Sequence, residues 1–402
     1  MTSVVEIQDK VRGARRVRVR GGSSKPALSR QSRDDDAEVI DLSPLQGVVD
    51  YQPDEYTFTA RAGTPVAEMA AMLAEKGQYM PFDPPLAERG ATLGGTVAAG
   101  LSGAGRYRYG GIRDFLIGIR FVDGQGQEIR GGGAVVKNAA GFDFPKLFVG
   151  SLGRLGILTE LTFKVFPQPP AFATVSADFG TLSDLLSALN AVTRSAIDLH
   201  AVDFAPAGDG WTIWVRIGGL LAALQERVQA LQAVVSAGAG ETRRLTQLFD
   251  QHDDILWQQA RSMAWVKDGM AMVKVPLTPQ RIAAVEEAVG GSNLATRRYS
   301  VGGNLLWLGW PDEAAPALDG GEQDQPRDLD SLLLGLNMQG LLLFGRGRRA
   351  PARHSGDNTD SGEDPLLGRP LQNAFLRRIA AALDPEGKFD PWEQQRTDRG
   401  EN

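Results

Sequence analysis

Residues 137–160, KNAAGFDFPKLFVGSLGRLGILTE, set four glycines among large apolar residues and run straight into the strand-like Leu161-Thr162-Phe163-Lys164-Val165. Glycine costs conformational entropy on folding, so its repeated use in such a run calls for tight turns or for a ligand lying against bare main chain. Two upstream stretches bear on the choice. RGGSSK, Arg20 to Lys25, follows the alternating strand pattern RRVRVR. Gly21 and Gly22 let consecutive backbone N–H groups point at one anion, while Ser23, Ser24 and Lys25 add hydroxyls and a cation. Taken alone, the same hexamer reads as a glycine-rich hairpin turn. It has neither the GxGxxG nor the GxxxxGK[ST] spacing of nucleotide loops. The second stretch, residues 83–114, is DPPLAERGATLGGTVAAGLSGAGRYRYGGIRD. Gly94, Gly95, Ala98, Ala99 and Gly100 make a surface almost free of side chains, suited either to a flat ligand or to close packing of a small-residue helix. Three such loops, all upstream of Leu161, favour one shared ligand over three unrelated turns.

The whole chain limits what that ligand can do. With 402 residues there is room for two or three domains. A composition of 42% hydrophobic and 23% charged residues is that of an ordinary globular protein, with no apolar run long enough to span a bilayer. The opening MTSVVEIQDKVRGARRVRVR lacks an apolar signal core, which predicts a cytoplasmic protein, with any place at the inner face of the membrane owed to partners. A net charge of -6 argues against nucleic acid as a partner, despite the local RGARRVRVR. The absence of cysteine excludes disulfides, thiolate metal sites, thiol catalysis and iron–sulfur clusters held by this chain alone. The three histidines, His200, His252 and His354, are scattered and read as structural or solvated. No metal site is expected, and redox chemistry would have to reside on an organic cofactor.

Periodicity predicts an α+β chain. A helix over SVVEIQDKVRGA precedes the first strand, and EVIDLS, GVVDY and TFTARAG follow as short strands. Thr64 reads as the N-cap and Pro65 as the first residue of the helix VAEMAAMLAEK, which Gly77 stops. The proline cluster FPQPPAF marks a boundary near residue 170, and strands and helices alternate from there to about 346. GRGRRAPARHSGDNTDSGEDP reads as a mobile loop, and LQNAFLRRIAAAL as a closing helix. The expected domains are therefore 1–170, 171–346, a loop over 347–366 and a C-terminal helix within 367–402. Arg297 and Arg298 suit a carboxylate clamp but read better as a solvated strand end. Trp257 reads as a core anchor, and QSRDDDAE as a solvated loop.

In the order RGGSSK, RGATLGGTVAAGLSG and KNAAGFDFPKLFVGSLGRLGILTE, the region 1–170 resembles the FAD-binding domain of the vanillyl-alcohol oxidase and para-cresol methylhydroxylase superfamily. The LDPEGKFDP segment resembles that family's C-terminal return. Within it, the chain most resembles the FAD-binding subunits of bacterial glycolate oxidase. The resemblance implies a two-subdomain FAD-binding domain, an α+β cap and a helix returning to the first domain. It implies that Arg20, Gly21, Gly22, Ser23, Ser24 and Lys25 cradle the FAD pyrophosphate. Gly94, Gly95, Thr96, Ala99, Gly100 and Ser102 would follow the flavin and phosphates, with Arg106, Tyr107, Gly110 and Asp114 nearby. Gly141, Gly153, Gly156 and Ile157 would bound the adenine or ribitol side.

Several departures qualify what the resemblance carries over. Neither the histidine nor the cysteine that tethers flavin in many relatives is present, which implies non-covalent FAD. The histidine-rich metal and substrate motif of the catalytic glycolate oxidase subunits and D-lactate dehydrogenases is missing, Leu152 stands where relatives carry a carboxylate, and FDPW stands where they have an Asn-Pro-Gly turn. The implied function is that of an FAD-binding subunit serving oxidation of a 2-hydroxy acid to the 2-oxo acid. Its implied partners are a catalytic flavoprotein subunit and an iron–sulfur subunit. The alternatives are a self-sufficient FAD oxidase of another small alcohol or hydroxy acid, and a flavin-free scaffold. No catalytic base is identified.

Overall fold

The structure is a computed structural model that describes residues 3–29, 37–133, 143–238, 242–289, 295–311, 329–345, 348–349, 363–369 and 374–389. Its first helix, Val4–Gly13, starts where Ser3 Oγ accepts the Glu6 N–H at 3.1 Å, and it buries Ile7 and Val11, which fall on one face. The strand Val17–Arg20 then pairs in parallel with Glu38–Asp41. An antiparallel five-stranded sheet follows, in the order Val48–Gln52, Thr57–Arg61, Ile157–Lys164, Leu116–Val122, Glu128–Gly132. Its core is aromatic: Phe163 stacks with Phe58 at 5.4 Å and with Phe82 at 5.7 Å.

One boundary differs from the sequence reading. Pro65, not Thr64, is the N-cap, and the helix runs Val66–Ala74. Thr64 is drawn off because its hydroxyl bonds the Gly47 backbone at 3.3 Å, while the Val66 N–H donates to the Ala91 carbonyl at 2.8 Å. Partners distant in sequence thus outcompete the local cap.

A nine-stranded antiparallel sheet begins at Ala171, in the order Thr242–Phe249, Ala171–Phe179, Gly210–Gly219, Ala201–Ala207, Thr296–Ser300, Leu305–Pro311, Met270–Pro276, Gln339–Phe344, Leu366–Gly368. Side chains alternate between its faces, as the strand period of two requires. Val175, Val202, Ile213, Val215 and Val273 enter one apolar core with residues of the Leu182–Arg194 and Leu221–Gly238 helices. On the opposite face, Met272, Leu305 and Trp307 join the core of the first sheet, alongside Phe82 and Phe115. The two sheets therefore share an apolar seam.

The same face carries charge where the Asp250–Ser262 helix covers it. Arg216 Nε donates to Asp253 Oδ2 at 2.9 Å, Thr174 Oγ1 to Asp253 Oδ1 at 2.6 Å, and Trp257 Nε1 to Thr174 Oγ1 at 2.8 Å. The Arg216 guanidinium also lies 3.9 Å from the centre of the Phe172 ring. Trp257 is 1% exposed and anchors the helix, in line with its sequence reading. The reading of Arg297 and Arg298 as a solvated strand end is corrected. Arg298 is buried and pairs with Asp203 at 2.7 Å, and Arg297 pairs with Glu286 at 2.7 Å. The acids that hold them lie on a neighbouring strand and on the Ile282–Val289 helix, beyond the reach of local pattern.

The closing helix, Ala374–Leu383, brings the chain back to the first sheet. The Gly124 N–H donates to the Leu383 carbonyl at 2.9 Å, and the buried Lys388 ammonium to the Val11 carbonyl at 2.8 Å. Most of the loop read over 347–366, His354 and Asp390 to Trp392 lie outside the described residues.

Candidate functional site

Three small-residue segments that are distant in sequence meet at one cleft. Its walls come from the Val17–Arg20 strand and the turn after it, from the Leu93–Ala99 helix, and from residues 151–158. The space, about 990 Å³ counted with its open mouth, is an open cleft rather than a closed cavity. The Leu93–Ala99 segment is a short small-residue helix, and its Gly94, Gly95, Ala98 and Ala99 face the cleft.

Gly156 answers part of the question posed by the fourfold glycine run. Its φ is +147°, and an added Cβ would lie 2.8 Å from the Val122 carbonyl oxygen, so the strand beside it demands a bare backbone. Gly153, at φ +76°, is different: its only near neighbour would be Val19 Cβ at 3.9 Å. There the turn, not crowding, selects glycine, and it presents Ser151 and Leu152 to the cleft. Turn geometry and open space for a ligand are thus both at work in one segment.

Lys25 dominates the electrostatics. Its side chain is buried, its ammonium donates to Ser24 Oγ at 2.9 Å, and burial pushes its pKa down to about 8. No aspartate or glutamate lines the cleft among the described residues. A buried ammonium facing an open space without an acid suits an anionic ligand.

The residues expected at the site divide into two groups. Gly21, Gly22, Ser23, Ser24, Lys25, Gly94, Gly95, Ala99, Gly153 and Gly156 line the cleft. Arg20 does not; it is exposed and pairs with Asp41 at 2.6 Å. Thr96 Oγ1 is spent on the Thr92 carbonyl, and Ile157 is buried in the core beneath the first helix. Ser102 Oγ accepts the Ile112 N–H at 2.9 Å, and Asp114 Oδ2 the Gly111 N–H at 2.8 Å, so both shape the loop around Gly110. Tyr107 packs against the core of the larger sheet, and Arg106 is exposed. Gly141 lies outside the described residues. Sequence reasoning missed Arg18, Val19 and Thr92, which line the cleft. The strand pattern VRVR directly before the glycine loop was the available signal for the first two.

The loop after the Leu93–Ala99 helix leads from the cleft to the seam between the sheets. There Lys274, on the larger sheet, donates to the Gly100 carbonyl at 2.7 Å. Burial, and then the nearby Arg106 guanidinium, push the Lys274 ammonium down to about 8. His200 is buried among Phe172, Tyr79 and Tyr109; burial first, then Arg216 and Arg108, push its imidazole down to about 3, so it is neutral. Among the described residues no group of acids and histidines could hold a metal.

Comparison with known proteins agrees with this geometry. Residues 1–132 match the model of an FAD binding domain family. Over 292 residues the chain is 30% identical to glycolate oxidase subunit GlcE of Escherichia coli (strain K12), covering 72% of this chain and 75% of that one. The chain belongs to the FAD-binding flavoproteins of the para-cresol methylhydroxylase type. It is also 32% identical over 206 residues to D-2-hydroxyglutarate dehydrogenase of Xanthomonas citri pv. viticola, but spans only 43% of that protein. Among solved structures, alkyldihydroxyacetonephosphate synthase has the same fold, with TM-score 0.61 at 16% identity over 77% of this chain and 65% of that one.

The cofactor of this flavoprotein family is FAD, and the cleft fits it. Lys25 lacks an acidic partner there, and a Cβ on Gly95 would lie 3.0 Å from Thr92 Oγ1 and 3.9 Å from Lys25 Nζ, within the space a ligand beside the ammonium would use. Gly95→Val is therefore expected to lower flavin content on purification several-fold. The Thr92 cap, whose Oγ1 accepts the Gly95 N–H, must yield slightly, at a cost of about 1 kcal/mol. Flavin absorbance per protein and a melting curve test this together, and equal flavin content in variant and wild type would remove the helix from the site.

Proposed function

We propose that the chain is the FAD-binding subunit of a complex that oxidises a 2-hydroxy acid, glycolate being the first candidate, to the 2-oxo acid. Likeness to glycolate oxidase subunit GlcE over 75% of that protein's length carries the reading, and the cation-bearing, acid-free cleft supports it. When bound, FAD supplies a two-electron redox centre to the complex. In this reading, the residues of the chain hold and orient the cofactor. Lys25 meets the phosphate charge, the Gly94–Gly95 and Ala98–Ala99 surface lets a ligand lie in van der Waals contact, and the Lys274–Gly100 bond ties the larger sheet to the end of that helix. The proposed partners are a second flavoprotein subunit that holds the substrate and an iron–sulfur subunit that takes the electrons onward, because a chain without cysteine cannot ligate such a cluster by thiolate.

A self-sufficient oxidase is the second reading, and one observation favours it. Lys274 and Arg106 lie at the seam with no carboxylate in ion-pair contact among the described residues, an arrangement that would accept a substrate carboxylate. Reconstitution separates the two. The isolated flavin-loaded chain is expected to show negligible glycolate-dependent dye reduction, restored when both partners are added. Full turnover by the isolated chain would establish the second reading instead.

A further inference from the structure

The cleft contains a second cation that no acid among the described residues pairs with. Arg18 lines it, and both Nε and Nη2 of its guanidinium are buried without a hydrogen-bond partner. Ser151, on the glycine-rich segment that also lines the cleft, is 1% exposed, and its Oγ is likewise without a partner among the described residues. Buried donors are almost always satisfied, so three orphaned donor atoms at one cleft point to a missing acceptor. Nε and Nη2 form the side-on edge of the guanidinium, whose two N–H groups run parallel and match two oxygens of one phosphate. Arg20, further along the same strand, has its charge taken up by Asp41.

We infer that Arg18, not Arg20, is the arginine that meets the cofactor's pyrophosphate: its side-on edge on one phosphate, Lys25 on the other, and Ser151 Oγ donating from the glycine-rich segment. The inference rests on the FAD reading above. Two cations with no acid beside them among the described residues match the two negative charges of a diphosphate diester. The arrangement selects for a dinucleotide and is indifferent to the uncharged ring system. Riboflavin, which lacks phosphate, gains nothing from it.

The test is titration of flavin-stripped full-length chain and its Arg18→Gln and Arg18→Lys variants with FAD, ADP and riboflavin, by flavin fluorescence and calorimetry at two salt concentrations. Arg18→Gln is expected to weaken FAD and ADP by a common factor of about 30 or more, leave riboflavin unchanged, and flatten the salt dependence for both nucleotides. Arg18→Lys, which keeps the charge and loses the fork, should fall between. The apo variants should melt no lower than wild type, since the arginine's buried edge is unsatisfied without ligand; a structural role would lower them. FAD and ADP affinities in Arg18→Gln equal to those of wild type, or a loss shared by riboflavin, would overturn the inference. Wild-type chain that binds ADP but not FAD would instead defeat the flavin reading while leaving the diphosphate site standing, and wild type that binds none of the three would overturn both.

Discussion

Lys25→Met is expected to weaken FAD binding by about 30- to 5000-fold while raising the melting temperature of the flavin-free protein. Losing one member of a buried charge pair costs a complex about 2–5 kcal/mol, which gives the affinity range. The apo protein gains because Lys25 is buried with only Ser24 Oγ as partner among the described residues, and methionine of similar length removes the desolvated charge. Opposite signs in the two measurements distinguish a ligand-binding lysine from a structural one; a variant that loses both stability and affinity would refute the assignment.

Lys25 also predicts a pH dependence. Burial depresses its pKa from 10.5 to about 8 in the folded apo protein, and a bound diphosphate would raise it again. FAD affinity should therefore be flat below about pH 8 and decline by up to tenfold per unit above it, a decline absent in Lys25→Met. Stability has the opposite slope. Between pH 8 and 10.5 the unfolded lysine binds more protons than the folded one, so the apo protein gains stability as pH rises through that window. Fluorescence titration and urea unfolding at pH 7, 8, 9 and 10 check both slopes.

Asp253→Ala should have the largest effect on folding, a loss of about 3–5 kcal/mol. The substitution leaves Arg216, buried against Phe172, with only the exposed Asp254 at 3.4 Å, and removes the acceptor for Thr174, whose hydroxyl in turn receives the Trp257 indole N–H. Asp253→Asn keeps an acceptor for Thr174 and should cost less. Urea unfolding followed by tryptophan fluorescence measures both, and a loss under about 1 kcal/mol for Asp253→Ala would show that the network does not hold the Asp250–Ser262 helix on the sheet.

Much of the cleft was legible because its pieces are local. RGGSSK, LGGTVAAG and GSLGRLG are each contiguous stretches in which missing side chains and a few polar ones are set by adjacent residues, and all three reach the same cleft. Their order along the chain also sufficed to read an FAD-binding family and an α+β class. Residue roles that depended on a distant partner were not legible. Arg18 and Arg20 are indistinguishable in VRVR; Asp41, on the strand paired with it, takes Arg20 and leaves Arg18 to the cleft. Arg298 read as solvated because Asp203, far earlier in the chain on the adjoining strand, gives no local signal. Thr64 failed as an N-cap because Gly47 claims its hydroxyl.

Local backbone freedom and side-chain periodicity are properties of neighbours in sequence, so glycine loops, helices, strands and the lack of cysteine chemistry follow from the sequence by itself. Charge pairing and burial are properties of neighbours in space. Only the tertiary structure decided which cations were neutralised by the protein's own acids, Arg20, Arg216, Arg297 and Arg298, and which, Arg18 and Lys25, remained at a cleft without one among the described residues.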